Sequence, residues 1–118
     1  MKTIATAMLL SVSLVVPVLW AAGDSPIEAR VFPPAAFAPT DLLVRASIEP
    51  DDRNRSVEFV IDSEAMFASS TIQLDGERAP RTKEVRFRRL SAGIYEIRVI
   101  LMGTQGMRGT AVHRLAVY

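Results

Sequence analysis

From residue 41 onward, apolar and polar side chains alternate along the chain. Leu42, Val44, Ala46 and Ile48 share one side, with Arg45, Ser47 and Glu49 on the other. Val57, Phe59 and Ile61 alternate with Glu58, Val60 and Asp62, and Val85 and Phe87 with Glu84, Arg86 and Arg88. Tyr95, Ile97, Val99 and Leu101 form the longest apolar face, opposed by Glu96, Arg98 and Ile100. A period of two places successive side chains on opposite faces of a strand, so each run predicts a half-buried strand. Thr71–Leu74 predicts a shorter strand, with Ser63–Ser69 as a connector whose Met66 and Phe67 plug one end of the core. The last strand runs from Arg108 to Tyr118, and two inward faces compete there: Ala111, His113, Leu115 and Val117, or Val112, Ala116 and Tyr118.

The breaks between these runs carry turn chemistry. Pro50 followed by Asp51-Asp52-Arg53-Asn54, then Asp75-Gly76, Ser91-Ala92-Gly93 and Gly103-Thr104-Gln105-Gly106 all punctuate the pattern. Arg78 to Thr82 contains Pro80 and predicts a crossing loop. No stretch after residue 23 sustains a helical period. Six to seven short strands separated by turns predict an all-β antiparallel sandwich over residues 41–118.

Upstream the pattern changes twice. Residues 24–40 hold Pro26, Pro33, Pro34 and Pro39, and proline fixes φ and removes a backbone donor. This segment predicts an extended linker or a leading edge segment, with Phe32 and Phe37 as apolar anchors for the domain's own surface or for a docking partner. Residues 1–23 have the form of a secretory signal: Lys2 at the start, an uncharged apolar run from Ile4 to Leu19, Pro17 near its end, and the small residues Ala21-Ala22-Gly23. An uncleaved membrane anchor is the competing reading. Either one places the domain outside the cytoplasm, periplasmic or extracellular, and cleavage leaves no stable membrane insertion.

Composition narrows the function classes. The chain has 118 residues, enough for one domain, and no cysteine, which excludes disulfides, thiolate metal sites and cysteine nucleophiles. A secreted domain of this size without cysteine points to a bacterial source. Formal net charge is +1, with Lys2 accounting for the excess, so the domain has no global attraction for nucleic acid or anionic lipid.

The run Leu90-Ser91-Ala92-Gly93-Ile94-Tyr95-Glu96-Ile97-Arg98-Val99 resembles the penultimate-strand entry of bacterial immunoglobulin-like and fibronectin type III-like sandwich domains. The resemblance covers residues 41–118. It implies a structural tyrosine corner at Tyr95, whose hydroxyl bonds back to backbone near the preceding turn. The core tryptophan and cysteine pair of antibody domains are missing, and transthyretin-like and carboxypeptidase-regulatory-like sandwiches share the Ala-Gly-x-Tyr pattern. Many unrelated functions occupy such folds.

Candidate chemistry is sparse. His113 is the only histidine, no Gly-x-Ser-x-Gly elbow occurs, and one imidazole does not make a transition-metal site. Asp51, Asp52 and Asn54 share a turn without EF-hand spacing, and Asn54-Arg55-Ser56 is formally a glycosylation sequon. The strongest local feature is positive charge: Arg78, Arg81, Lys83, Arg86, Arg88 and Arg89. These residues form a candidate binding patch for an acidic glycan, a phosphate-bearing surface or an acidic protein, or a solvated sheet face paired with Glu58 and Asp62 or with Glu96. No aromatic residues interleave them in the manner of nucleic-acid stacking. The expectation is therefore an exported, non-enzymatic binding module without catalytic residues, metal or cofactor, with a protein or glycan partner. Alternative roles are an assembly component using the Pro-rich arm or an edge strand, and an accessory domain of a secreted enzyme system.

Overall fold

A computed structural model describes residues 25–118. The signal expected at residues 1–23 lies outside them. Among the described residues there are seven strands: β1 (Ile27–Phe32), β2 (Thr40–Ile48), β3 (Asn54–Asp62), β4 (Phe67–Gln73), β5 (Thr82–Leu90), β6 (Gly93–Gly103) and β7 (Gly106–Val117). They form two antiparallel sheets, one ordered β1-β2-β5 and the other β4-β3-β6-β7. Among the described residues one 3-10 turn, Gly76–Arg78, lies on the crossing from the second sheet to the first.

The alternation dictates the core. Leu42, Val44, Ala46 and Ile48 of β2 join Val57, Phe59 and Ile61 of β3 and Tyr95, Ile97, Val99 and Leu101 of β6 in one buried cluster. Each fully buried aliphatic or aromatic side chain of this kind contributes about 1.5–3 kcal/mol relative to exposure. The ambiguity in β7 is resolved in favour of the odd-numbered residues. Leu115 and Val117 are buried and Ala111 packs against the cluster, whereas Val112 and Tyr118 are exposed.

The Pro-rich segment, expected as an extended linker or a leading edge segment, contains an edge strand: β1 pairs with β2 from Ile27↔Ile48 to Phe32↔Leu43, and Ile27 and Ala29 belong to the core. Pro26 and Pro33 flank this strand rather than interrupt it, which reconciles the prolines with a sheet edge. The sandwich thus begins at Ile27, upstream of residue 41. Phe67 opens β4 instead of plugging the core, and its side chain is 63% exposed, while Met66 does pack against the core.

After β1 the chain crosses to the other sheet. Ala36 bridges Val117 in parallel, the Tyr118 N–H donates to the Ala36 carbonyl at 2.9 Å, and the Ala38 N–H donates to the Tyr118 carbonyl at 2.6 Å. The segment from β1 to Ala38 therefore touches both sheets along one flank. At the same flank an added Cβ on Gly109 would meet Pro26 Cγ at 3.0 Å, so glycine here permits close approach of β7 to the start of β1.

Candidate functional site

The six basic residues of the sequence cluster do not form one patch. Arg78 closes the 3-10 turn, Arg81 lies in the crossing segment, and Lys83 shares the inward parity of Val85 and Phe87. Arg86 and Arg88 project outward from β5 and are exposed. Arg89 occupies a β-bulge: Thr40 faces Leu90 and Leu42 faces Phe87, so two residues of β5 oppose Asp41 alone. Arg89 adopts φ 58°, an unfavourable region for a residue with a side chain, and its N–H donates to Asp41 Oδ1 at 2.9 Å. The bulge lets Leu90 return to the core while leaving both Arg88 and Arg89 in solvent.

Arg86 and Arg88 instead join residues that the sequence does not group with them. On the outer face of the three-stranded sheet, Phe32, Leu43 and Arg86 form one cross-strand row, and Arg30, Arg45 and Glu84 form the next. Arg45 Nε donates to Glu84 Oε2, and the Arg45 guanidinium lies 5.3 Å from the Phe32 ring centroid in a cation–π contact. Glu84, on β5 itself, is the acidic partner here. Glu58, Asp62 and Glu96, the expected partners, lie on the other sheet, where Arg98 takes Glu96 and Asp62, and Arg114 takes Glu96. Among the described residues, Arg30, Arg86 and Arg88 form no ion pair. Phe32, 39% exposed, and half-buried Leu43 thus sit amid uncompensated positive charge. A cleft of about 370 Å³ adjoins this face between β1 and β7, lined by Arg30, Val31, Phe32, His113 and Arg114.

The remaining candidates have structural positions. Phe37 is 80% exposed and its ring centroid lies 6.2 Å from that of Tyr118, away from the Phe32 face. His113 Nε2 donates to the Ala29 carbonyl at 2.6 Å, covering part of the free edge of β1. Tyr95 is 1% exposed and its hydroxyl donates to the Ser91 carbonyl at 2.7 Å.

The Asp51 turn is a polar tie rather than an open oxygen cluster. Asp51 Oδ1 accepts from the Arg53 N–H at 2.8 Å and from Arg53 Nε at 2.9 Å. Asp51 Oδ2 accepts from Arg53 Nη2 at 2.7 Å and Arg108 Nη2 at 3.1 Å. Asn54 is 1% exposed, accepts from Arg108 Nη1 at 2.6 Å, and donates to the Glu49 carbonyl at 3.0 Å. These contacts hold the Asp51 carboxyl well below the usual carboxylate range. The Arg53 side-chain hydrogen bond leads, followed by the Arg53 backbone N–H, with desolvation opposing and the Arg108 charge assisting. Among the described residues, no group of three or more His, Cys, Asp or Glu side chains could hold a metal ion, and no helix is long and apolar enough to cross a membrane.

No protein-family model matches the chain, and no curated protein matches it by sequence. Among solved structures it is similar to superoxide reductase (neelaredoxin) from Ignicoccus hospitalis, with a TM-score of 0.56 at 13% identity over 81% of this chain and 82% of that one. It is similar to the soluble domain of PmoD from Methylocystis sp., with a TM-score of 0.54 at 17% identity over 78% of this chain and 90% of that one. A family 76 glycoside hydrolase from a bovine Bacteroides thetaiotaomicron strain gives a TM-score of 0.55 at 15% identity, over 80% of this chain but 20% of that one. The expectation that the chain is not an enzyme is corrected by the first of these. It drew on the sandwich pattern together with the absence of a recognisable catalytic set in the sequence, and a superoxide reductase, an enzyme, has a similar fold. The resemblance to immunoglobulin-like and fibronectin-like domains is likewise broadened. The likenesses establish an all-β fold of two antiparallel sheets, compatible with a β-sandwich.

Proposed function

We propose that the chain is an exported interaction module of immunoglobulin-like type that recognises an anionic protein or glycan surface through the outer face of its β1-β2-β5 sheet. The observation that carries this reading is the Phe32–Leu43–Arg86 row, an apolar strip flanked by Arg30 and Arg88, none of whose arginines has an acidic partner among the described residues. Positive groups around an exposed aromatic suit a ligand that offers both charge and a flat or apolar contact. Export rests on the form of residues 1–23, and periplasmic or extracellular residence follows from it. Support for the immunoglobulin-like type comes from the strand order. First, second and fifth strands share one sheet, and in the other the third pairs with the sixth, which in turn pairs with the seventh. The fourth strand departs from the constant-type arrangement by pairing with the third.

The test is retention of the purified protein on immobilised polyglutamate and on an acidic polysaccharide, as a function of salt. The expected result is binding that weakens with ionic strength and is lost in Arg86→Glu/Arg88→Glu while the fold is retained. Equal retention of wild type and variant refutes the reading.

A further inference from the structure

The sandwich has four sheet edges, and among the described residues three of them carry features that hinder or partly occupy the edge. On β1, the Ser25 hydroxyl donates to the Ile27 carbonyl and accepts from the Ile27 N–H, and His113 covers the Ala29 carbonyl. The end of β7 is paired with Ala36 and Ala38. On β5, Arg86, Arg88 and the bulge at Arg89 oppose the approach of another strand. The edge of β4 has none of these devices. Its sequence, Phe67-Ala68-Ser69-Ser70-Thr71-Ile72-Gln73, contains no charge, proline or glycine, and its register with β3 is unbroken over all seven pairs.

Which of its backbone groups face outward follows from the ladder. The Leu74 N–H donates to Arg55 and the Ser63 N–H donates to Met66, so the even-numbered residues of β4 direct their backbone groups toward β3. Phe67, Ser69, Thr71 and Gln73 direct theirs away from it, and no described residue bonds them. An edge in this state is a template for strand addition.

We infer that β4 pairs antiparallel with β4 of a second copy of this chain, about a two-fold axis at Ser70. The arithmetic of that axis favours a second copy as occupant. It places Ser69 opposite Thr71 and Phe67 opposite Gln73, and all four are outward-bonding residues, so every free donor meets an acceptor. Side-chain rows are also compatible. The row Glu58–Thr71 continues into Ser69–Val60 of the second copy, and Asp62–Phe67 continues into Gln73–Ser56, so no charge in a row meets a like charge. The two four-stranded sheets become one continuous eight-stranded sheet. The inference is independent of the proposed anionic-partner face, which lies on the other sheet.

Sedimentation equilibrium of the purified exported protein tests it, with two variants. Wild type is expected to show a reversible monomer–dimer equilibrium. Ser69→Lys/Thr71→Lys sets lysine opposite lysine twice across the axis and is expected to weaken the dimer by roughly tenfold. Ser69→Glu/Thr71→Lys sets opposite charges there and is expected to restore it. Ser70→Cys, in a chain with no other cysteine, is expected to give a covalent dimer on oxidation, because facing residues of a non-hydrogen-bonded pair lie within disulfide reach. A monomer at every concentration without cross-linking of Ser70→Cys overturns the inference. So does a dimer indifferent to the lysine pair, or a β4 edge occupied instead by a different protein.

Discussion

The Tyr95 hydroxyl donates to the carbonyl oxygen of Ser91, four residues upstream, at 2.7 Å. The bond clamps the turn between β5 and β6 to the first inward residue of β6. Tyr95→Phe keeps the buried ring but leaves the Ser91 carbonyl without this donor. The expected cost is about 1 kcal/mol, the net value of one hydrogen bond. Chemical denaturation measures it, and an unchanged midpoint refutes it.

Phe59 and Val99 face each other across β3 and β6, and both are fully buried. Phe59→Ala leaves a cavity between the sheets and is expected to cost about 3–5 kcal/mol. Val99→Ala removes less volume and should cost less. Thermal unfolding of both variants checks the order.

Asp51 gives the fold a defined response to acid. A carboxyl whose pKa is depressed on folding adds stability that is fully present above its unfolded value, about 4, and is lost as pH falls toward the folded value. Stability of the wild type should therefore decline as pH drops below about 4, partly through Asp51. Asp51→Asn should be less stable at neutral pH and show a shallower acid slope. Denaturation midpoints across that range measure both effects.

Arg89 holds a left-handed conformation because the bulge demands it. Arg89→Gly relieves that conformation while raising the entropy of the unfolded chain, so it should leave stability within about 1 kcal/mol of wild type or above it. Asp41→Ala removes the acceptor of the Arg89 N–H and should be the more damaging of the two. Paired unfolding curves decide the order.

The alternating runs in β2, β3 and β6 were legible because each has a fully buried face and a wet one, so side-chain chemistry reports geometry directly. β1 carries the same signal, Ile27, Ala29 and Val31 against Glu28, Arg30 and Phe32, but flanking prolines obscured it. β4 was shortened because Ala68 and Ser70 are weak inward residues at a lightly packed edge. The candidate patch was only partly visible. Sequence proximity grouped Arg78 and Arg81 with Arg86, whereas pairing grouped Arg86 with Phe32 and Arg30 from a strand more than fifty residues away. Nothing local in the chain encodes that register.

The segment that touches both sheets has a consequence for motion. Along the flank of β1 and β7, backbone bonds at Ala36 and Ala38, the His113 contact and the close approach at Gly109 join the layers. On the flank of β4 and β5, the layers are joined through the crossing chain and the core alone. Local opening should therefore start on the second flank, with the amides of Ala68, Ser70 and Ile72, which bond β3, exchanging hydrogen for deuterium in the monomer well before those in the centre of β6.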